Sequence, residues 1–319
     1  MLKVFELLPH HKVYIAGHRG MVGSAILRAL DARGHTNIVG RSSSELDLRD
    51  QAAVKTFFEL EKPDVVFLAA AKVGGILANS TYPVEFLTDN LRIQLNVIDE
   101  AYKSRVQRLL FLGSSCIYPK YAPQPIKEEY LLTGELEPTN DAYAIAKIAG
   151  IKQVQAYRTQ YGASFVSVMP TNLYGPGDSY DPETSHVIPA LIRKFYEAKR
   201  KNVPSISIWG SGLPKREFLH VDDLAEACLK VCEFSNDDIT NVGSGSDLAI
   251  RELVELLAKV SAFEGKIIYD LKKPDGTMQK LLDSSRIGSH GWFPRISLEE
   301  GIKKVYSDYL NNQHSKITA

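Results

Sequence analysis

The chain carries no surplus of either charge: 38 Lys and Arg stand against 38 Asp and Glu over 319 residues. Polyphosphate chains and anionic lipid surfaces are held by an excess of cations, so this balance excludes a protein that coats nucleic acid or membrane through bulk charge. Cysteine is scarce. Three residues at unrelated spacings frame no disulfide scaffold, and the odd number predicts free thiols in a reducing, cytoplasmic compartment. Long apolar runs are missing too; the longest, residues 65–71, stops at Lys72 and falls far short of the ~18 needed to span a bilayer. The first twelve residues include Glu6 and lack a long apolar centre, which predicts no signal peptide. Neither internal repeats nor low-complexity tracts are found. What remains is ordinary globular composition, 44% hydrophobic and 24% charged. The length suggests about two domains.

Short β-branched runs alternate with helical patterns through the first half. Residues 12–16 read as a strand, and residues 21–32 place Val22, Ile26, Ala29 and Leu30 at helical spacing. A short strand over 37–39 comes next. Asp50 caps a helix that runs to Glu61, and Pro63 stops it. Residues 65–70 are apolar almost throughout, the pattern of a strand covered on both faces. A helix over 83–102, a strand over 108–112, a helix over 141–161 and a strand over 164–169 continue the series. This alternation predicts an α/β fold built on a doubly wound parallel sheet of the Rossmann type.

Beyond Pro170 the character changes. Residues 174–185 are rich in turn formers, a basic helix follows over 188–201, and a strand over 205–209. A return to the main sheet is expected near 217–220, and residues 250–259 read as a further amphipathic helix. The expected organisation is a dinucleotide-binding domain over 1–173 and 215–245. A smaller, discontinuous C-terminal α/β domain over 174–214 and 246–319 is expected to bind substrate, the ligand cleft lying between them. Charge is unevenly spread here. From Arg193 to Arg216 seven basic residues face one acid, Glu197, and part of that is expected to be a solvated helix face.

Gly17, Gly20 and Gly23 fall between the first strand and the first helix. A tight turn, close approach of backbone to a pyrophosphate and close packing of helix on strand all favour a residue without Cβ, and the helix N-terminus then faces the phosphates. At the end of the second strand an NAD site usually has an acid that accepts from the ribose 2′-hydroxyl. This chain has Arg41-Ser-Ser-Ser44 instead. A guanidinium and hydroxyls suit a 2′-phosphate, which a carboxylate repels, and Arg19 in the glycine turn can add a second cation. NADPH is therefore the expected cofactor. Tyr143 and Lys147 stand four apart on one helix face. There the cation is expected to lower the phenol pKa toward one useful for proton transfer. About thirty residues earlier, Ser114 and Ser115 sit at the C-terminal end of an expected strand, where open α/β sheets bind ligands.

Glycine triplet, strand-end serines and Tyr-x-x-x-Lys, in that order, resemble the extended short-chain dehydrogenase/reductase family. Five segments sharpen the likeness: Gly17-His-Arg-Gly-Met-Val-Gly-Ser24, Gly113-Ser-Ser-Cys-Ile-Tyr-Pro119, Pro170-Thr-Asn-Leu-Tyr-Gly175, Ser185-His-Val-Ile-Pro189 and Arg216-Glu-Phe-Leu-His-Val-Asp-Asp223. They are similar to family members that act on GDP-4-keto-6-deoxy-D-mannose, inverting carbons 3 and 5 and then reducing carbon 4 to give GDP-L-fucose. The similarity covers residues 12–309.

The resemblance implies Cys116 as the base and His186 as the acid of the inversions. The thiol needs an environment that favours its anion, and a histidine near its reference pKa of ~6.5 can donate at working pH. It further implies that Tyr143 protonates the carbon-4 oxygen, Ser114 hydrogen-bonds it, and Lys147 anchors the nicotinamide ribose and lowers the Tyr143 pKa. Met21, Val22, Pro170, Asn172 and Leu173 join the glycines, Arg19 and Arg41 around NADPH. On the substrate side, Arg216 is implied to contact the GDP pyrophosphate and Lys194 stands where the family often has a basic residue. Trp209 packs against the nucleotide or the core. Lys280 ends a late substrate segment whose Met278-Gln279 departs from the usual Pro-basic pair. A homodimer through the helices over 83–102 and 141–161 is also implied, with no metal.

Cys232 is expected in the core, and His18 and His220 as loop supports. Two other readings compete. A nucleotide-sugar 4-epimerase or 4,6-dehydratase with tightly bound NAD is disfavoured by Arg41 and Cys116. A redox-sensing NADP-binding protein is disfavoured by the Tyr143/Lys147 pair.

Overall fold

A computed structural model describes residues 5–182, 184–234, 239–273 and 275–317. β1 (Val13–Ala16) is buried throughout and feeds α1 (Met21–Ala32), which buries Ala25, Ile26, Ala29 and Leu30. β2 (Ile38–Val39) precedes α2 (Gln51–Glu61). The carboxylate of Asp50 caps α2 by accepting from the N–H groups of Ala52 and Ala53. β3 (Val65–Leu68), α3 (Ile76–Thr81), α4 (Pro83–Lys103), β4 (Arg108–Leu112), α5 (Asp141–Tyr161) and β5 (Phe165–Pro170) complete the first half. Every residue of β3, β4 and β5 is buried, so their sequences do not alternate: helices cover both faces.

The second half begins with β6 (Asn172–Tyr174), α6 (Val187–Arg200), β7 (Ser205–Trp209) and β8 (Lys215–His220). α7 (Val221–Phe234), β9 (Ile239–Val242), β10 (Asp247–Ala249), α8 (Ile250–Ser261) and β11 (Lys266–Asp270) follow. β12 (Gln279–Lys280), α9 (Ser285–Gly288) and α10 (Leu298–Ile317) end the described chain. None of α10, α8 or the other described helices is long and apolar enough to cross a membrane.

The main sheet is parallel, in the order β2-β1-β3-β4-β5-β9. α1 and α7 pack together over one face, around Ile26, Leu30, Leu224 and Cys228. α2, α4 and α5 cover the other, around Phe58, Val97 and Ile151. A separate core of Ile192, Phe195, Leu253, Leu257 and Ile302 holds α6, α8 and α10 in the second lobe. The strand order reverses at β1 and β3, and the crevice there opens at the carboxyl ends of the strands.

One expectation needs correction. A strand does form over Lys215–His220, but it does not return to the main sheet: β8 pairs with β6, β10 and β12 in a second sheet. The sixth strand of the main sheet is β9, buried at all four residues. β8 opens with Lys215, exposed, and Arg216, half-buried, whereas β9 is buried at all four residues like the inner strands beside it. β7 pairs in parallel with β11 as a third, two-stranded sheet.

Candidate active site

A cleft of about 970 Å³ runs along the carboxyl ends of the main sheet and reaches into the second lobe. Its floor is the glycine turn. Gly17 has φ +87°, and a Cβ there would lie 2.8 Å from the Ala70 nitrogen; a Cβ on Gly23 would overlap the Gly17 carbonyl. Substituents at either point would part α1 from the sheet. Gly20 caps α1 with no side-chain hydrogen bond, so the first N–H groups of the helix, at Met21, Val22 and Gly23 on the cleft wall, stay open for an anion. Pro170, Asn172 and Leu173 line the same space. This backbone cradle and the strand-end hydroxyls of Ser42, Ser43 and Ser44 fit a dinucleotide.

The end of β2 holds a surprise. Arg41 lines the cleft, but its Nη2 donates to Glu61 at 2.6 Å and its Nη1 to the Gly40 carbonyl at 2.9 Å. Glu45 accepts from the N–H of Ser42 at 2.7 Å and from its hydroxyl at 2.6 Å. Two carboxylates thus stand beside the expected 2′-phosphate position, one from the far end of α2. Arg19 is exposed on the cleft and makes no hydrogen bond or ion pair with the described residues. His18 and His220 act as loop supports. The His18 ring fills the space above Gly40, and His220, buried edge-on to Tyr174 at 5.3 Å, accepts from the Asp222 N–H.

Where β4 ends, Gly113 passes close to Met169 and the Ser114 hydroxyl caps the single turn Ser115–Ile117, accepting from the Cys116 N–H at 3.2 Å. That turn sets Cys116, half-buried, on the cleft wall. α5 brings Tyr143 and Lys147 to the same wall, and His186 joins them from the N-terminus of α6. The structure therefore unites Ser114, Cys116, Tyr143, Lys147 and His186 in one cavity with Arg216 and Lys280. Cys232, by contrast, is fully buried in α7, one turn from the equally buried Cys228.

The protonation states differ from the sequence expectation. Burial pushes the Tyr143 phenol above its ordinary value, with Cys116 adding to the shift and the Ser114 hydroxyl opposing it. Lys147 does not reverse this. The residue is 3% exposed, and its ammonium donates to the Leu112 carbonyl at 2.7 Å, lies 5.9 Å from the Tyr143 ring centre, and is itself pushed down to about 7 by desolvation. A cation can lower a neighbour's pKa only while it remains charged. The His186 imidazole opens onto the cleft, yet the protein packed around it holds its pKa below the ordinary 6.5. In the free chain it is neutral at pH 7.

Two of the expected substrate residues do not line the cleft. Lys194 donates to the Ser207 carbonyl at 2.7 Å, and Trp209, 61% exposed, lies under the Lys273 ammonium at 5.1 Å. Ser207 and Trp209 share the exposed face of β7, so these groups form a ledge on the second lobe. Sequence reasoning missed Asn140, whose Nδ2 donates to the Cys116 Sγ at 3.3 Å. It also missed Glu137, which accepts from Lys120 and from the Thr277 hydroxyl, each at 3.1 Å. Both precede α5 in an irregular segment with no motif of its own; only proximity to the Tyr-x-x-x-Lys helix could have pointed to them.

Residues 13–243 match the model of the NAD dependent epimerase/dehydratase family. GDP-L-fucose synthase 1 of Arabidopsis thaliana is 58% identical over 302 residues, 94% of each chain. The GDP-L-fucose synthase of Escherichia coli K12 is 53% identical over 312 residues, covering 95% of this chain and 97% of that one. Among solved structures, a GDP-L-fucose synthetase from Naegleria fowleri bound to NADP superposes with a TM-score of 0.89 at 27% identity, over 97% of both chains. With the glycine turn, the cysteine-bearing strand end and the Tyr143/Lys147 helix all on one cleft, the chain belongs to the NAD-dependent epimerase/dehydratase family and, within it, to the GDP-L-fucose synthases.

Proposed function

We propose that this cleft converts GDP-4-keto-6-deoxy-D-mannose to GDP-L-fucose by epimerisation at carbons 3 and 5 and NADPH-dependent reduction at carbon 4. The ketone at carbon 4 acidifies the C–H bonds on both sides, so a base can remove either proton and leave an enolate. Cys116 is that base. His186 returns a proton to the opposite face and so inverts the centre. Neutral in the free chain, it becomes the better acid once a pyrophosphate and an enolate bring negative charge into the cleft.

The glycine turn, Arg19, Arg41, Pro170, Asn172 and Leu173 would hold NADPH, which would supply the hydride for carbon 4. Ser114 hydrogen-bonds the carbon-4 oxygen and Tyr143 protonates it. A phenol pushed up by burial keeps its proton until an alkoxide, the stronger base, takes it. Lys147 holds the nicotinamide ribose. Arg216 meets the pyrophosphate, and the ledge of Trp209 with Lys194 receives the guanosine. In this division the main-sheet lobe binds cofactor and the second lobe binds the sugar nucleotide. The active unit is a homodimer joined through α4 and α5, and the free cysteines suit a reducing, cytoplasmic setting. The observation that carries the reading is the convergence of Ser114, Cys116, Tyr143, Lys147 and His186 on one cavity.

The test supplies GDP-4-keto-6-deoxy-D-mannose and NADPH and follows NADPH absorbance, with analysis of the product sugar. Folded protein that consumes no NADPH overturns the reading. Cys116→Ser is expected to lose solvent-deuterium incorporation at carbons 3 and 5. Tyr143→Phe should keep that exchange while reduction falls roughly 10²–10⁴-fold, the usual worth of a positioned acid. Loss of exchange in Tyr143→Phe would show that the two stages do not divide as assigned.

A further inference from the structure

We propose that the Lys280 ammonium, brought across the cleft by the second lobe, is the counter-charge that keeps Cys116 as a thiolate, making Lys280 a positioning residue for the base. This rests on Cys116 being the base of the epimerisation. The sulfur is surrounded by donors. Asn140 Nδ2 approaches it to 3.3 Å and Lys280 Nζ to 3.8 Å, and no described residue accepts a hydrogen bond from it. A thiol is a weak acceptor that would also donate its own proton, whereas a thiolate only accepts and carries a full charge. Two converging N–H donors with no acceptor are the surroundings of an anion.

Of the other charged or titratable groups around the sulfur, Arg216 also acts on Cys116 through its charge, but none of them makes a hydrogen bond to the sulfur. Arg216 spends its Nη1 on the carbonyls of Thr277 at 2.6 Å and Lys215 at 2.8 Å. Lys147 is bound to the Leu112 carbonyl, and Tyr143 and His186 are neutral at pH 7. Glu137 is the nearby acid, and it is held by Lys120. Lys280 differs: among the described residues its ammonium makes one hydrogen bond, to Cys116.

Its placement is built rather than incidental. β12 runs parallel to β8 with Lys280 opposite Arg216, and the preceding Thr277 is fixed from two sides. Its carbonyl accepts from Arg216, and its hydroxyl donates to Glu137 of the first lobe. Cys116 comes from the end of β4 and its counter-charge from the other lobe, so the base is complete only with the two lobes joined.

The experiment is alkylation of the free protein by iodoacetamide, with modified thiols counted by mass spectrometry. Cys228 and Cys232 are fully buried, so folded protein should label once, at Cys116; Cys116→Ser should not label. Lys280→Met is expected to slow labelling at pH 7 by at least tenfold and move the pH profile of labelling upward. Lys280→Arg should restore most of both. Thr277→Val, which leaves both charges in place but cuts the latch to Glu137, should give an intermediate loss. An unchanged labelling rate and profile in Lys280→Met, with only a raised KM for the sugar nucleotide, would overturn the proposal and leave Lys280 a substrate ligand. If Lys280→Met labels at three sites it has unfolded, and Thr277→Val then decides by the same criterion. Since labelling needs neither substrate nor NADPH, its outcome is independent of whether the proposed reaction is correct.

Discussion

At Lys147 the fold asks for a cation in a place that opposes one. The ammonium is buried on α5 with one carbonyl and the face of Phe111, 4.8 Å away, as its company, and its pKa drops from 10.5 to about 7. Below pH 7 the group is charged in folded and unfolded chains alike, and the folded state bears the full desolvation cost. Between pH 7 and 10.5 the unfolded chain keeps a proton that the folded chain has released, so stability rises with pH through that window. Lys147→Met removes the effect. The variant is expected to gain on the wild type at pH 6 and to lose that advantage by pH 10.5, the difference between the two pH values being on the order of 2–4 kcal/mol. Urea midpoints at the two pH values check it; a pH-independent difference would place the Lys147 proton in the ordinary lysine range. The same residue marks a limit of sequence reading. Residue types at strand ends and helix faces announced Ser114, Tyr143 and Lys147, and the family resemblance added Cys116, but their proton affinities depend on burial, which no local spacing encodes.

Elements were legible where their ends carry a chemical signal. Asp50 and Pro63 bracket α2, and a glycine in the left-handed region, Gly162 at φ +67°, ends α5 where the pattern stopped. β8 and β9 were not separable: both are short strands with polar and apolar residues mixed, and tertiary pairing decides which enters the main sheet. The end of β2 was read only in part for a related reason. The local window showed Arg41 and three serines, yet the carboxylate that binds Arg41 arrives from Glu61, twenty residues on at the last turn of α2. A guanidinium already paired must share or release its acid to receive a 2′-phosphate. Glu61→Gln is therefore expected to tighten NADPH binding several-fold, and Arg41→Ala to weaken it about tenfold, ~1.4 kcal/mol. NADH binding should change little in either variant. Equilibrium titration of the free protein by nicotinamide fluorescence reads all four constants, and equal effects on both nucleotides would remove the pair from cofactor choice.

Across the whole molecule, the helix that carries the chemistry also has an outer face. α5 turns Tyr143 and Lys147 toward the cleft, while Ile145 between them is 49% exposed on the other side. α4 is tied to α5 as one rigid pair. Gln94 donates to the Ala146 carbonyl at 2.6 Å, and Asp99 accepts from Gln153 at 2.7 Å and from Tyr157 at 2.8 Å. Along this pair Val84, Leu95 and Ile145 stand 66%, 48% and 49% exposed. Large apolar side chains this exposed on two packed helices are costly to leave in water, and a second copy related by a twofold axis would cover those of both chains at once. Each α5 would then be braced from behind by its partner. Light scattering of the wild type at micromolar concentration is expected to give twice the chain mass of 35.5 kDa. Leu95→Lys with Ile145→Lys should halve it, because two like charges per subunit would meet across the axis, and should also lower kcat by loosening Tyr143. A wild type that scatters as a single chain would assign these apolar residues to another partner, and an unaltered mass in the double variant would move the interface off α4 and α5.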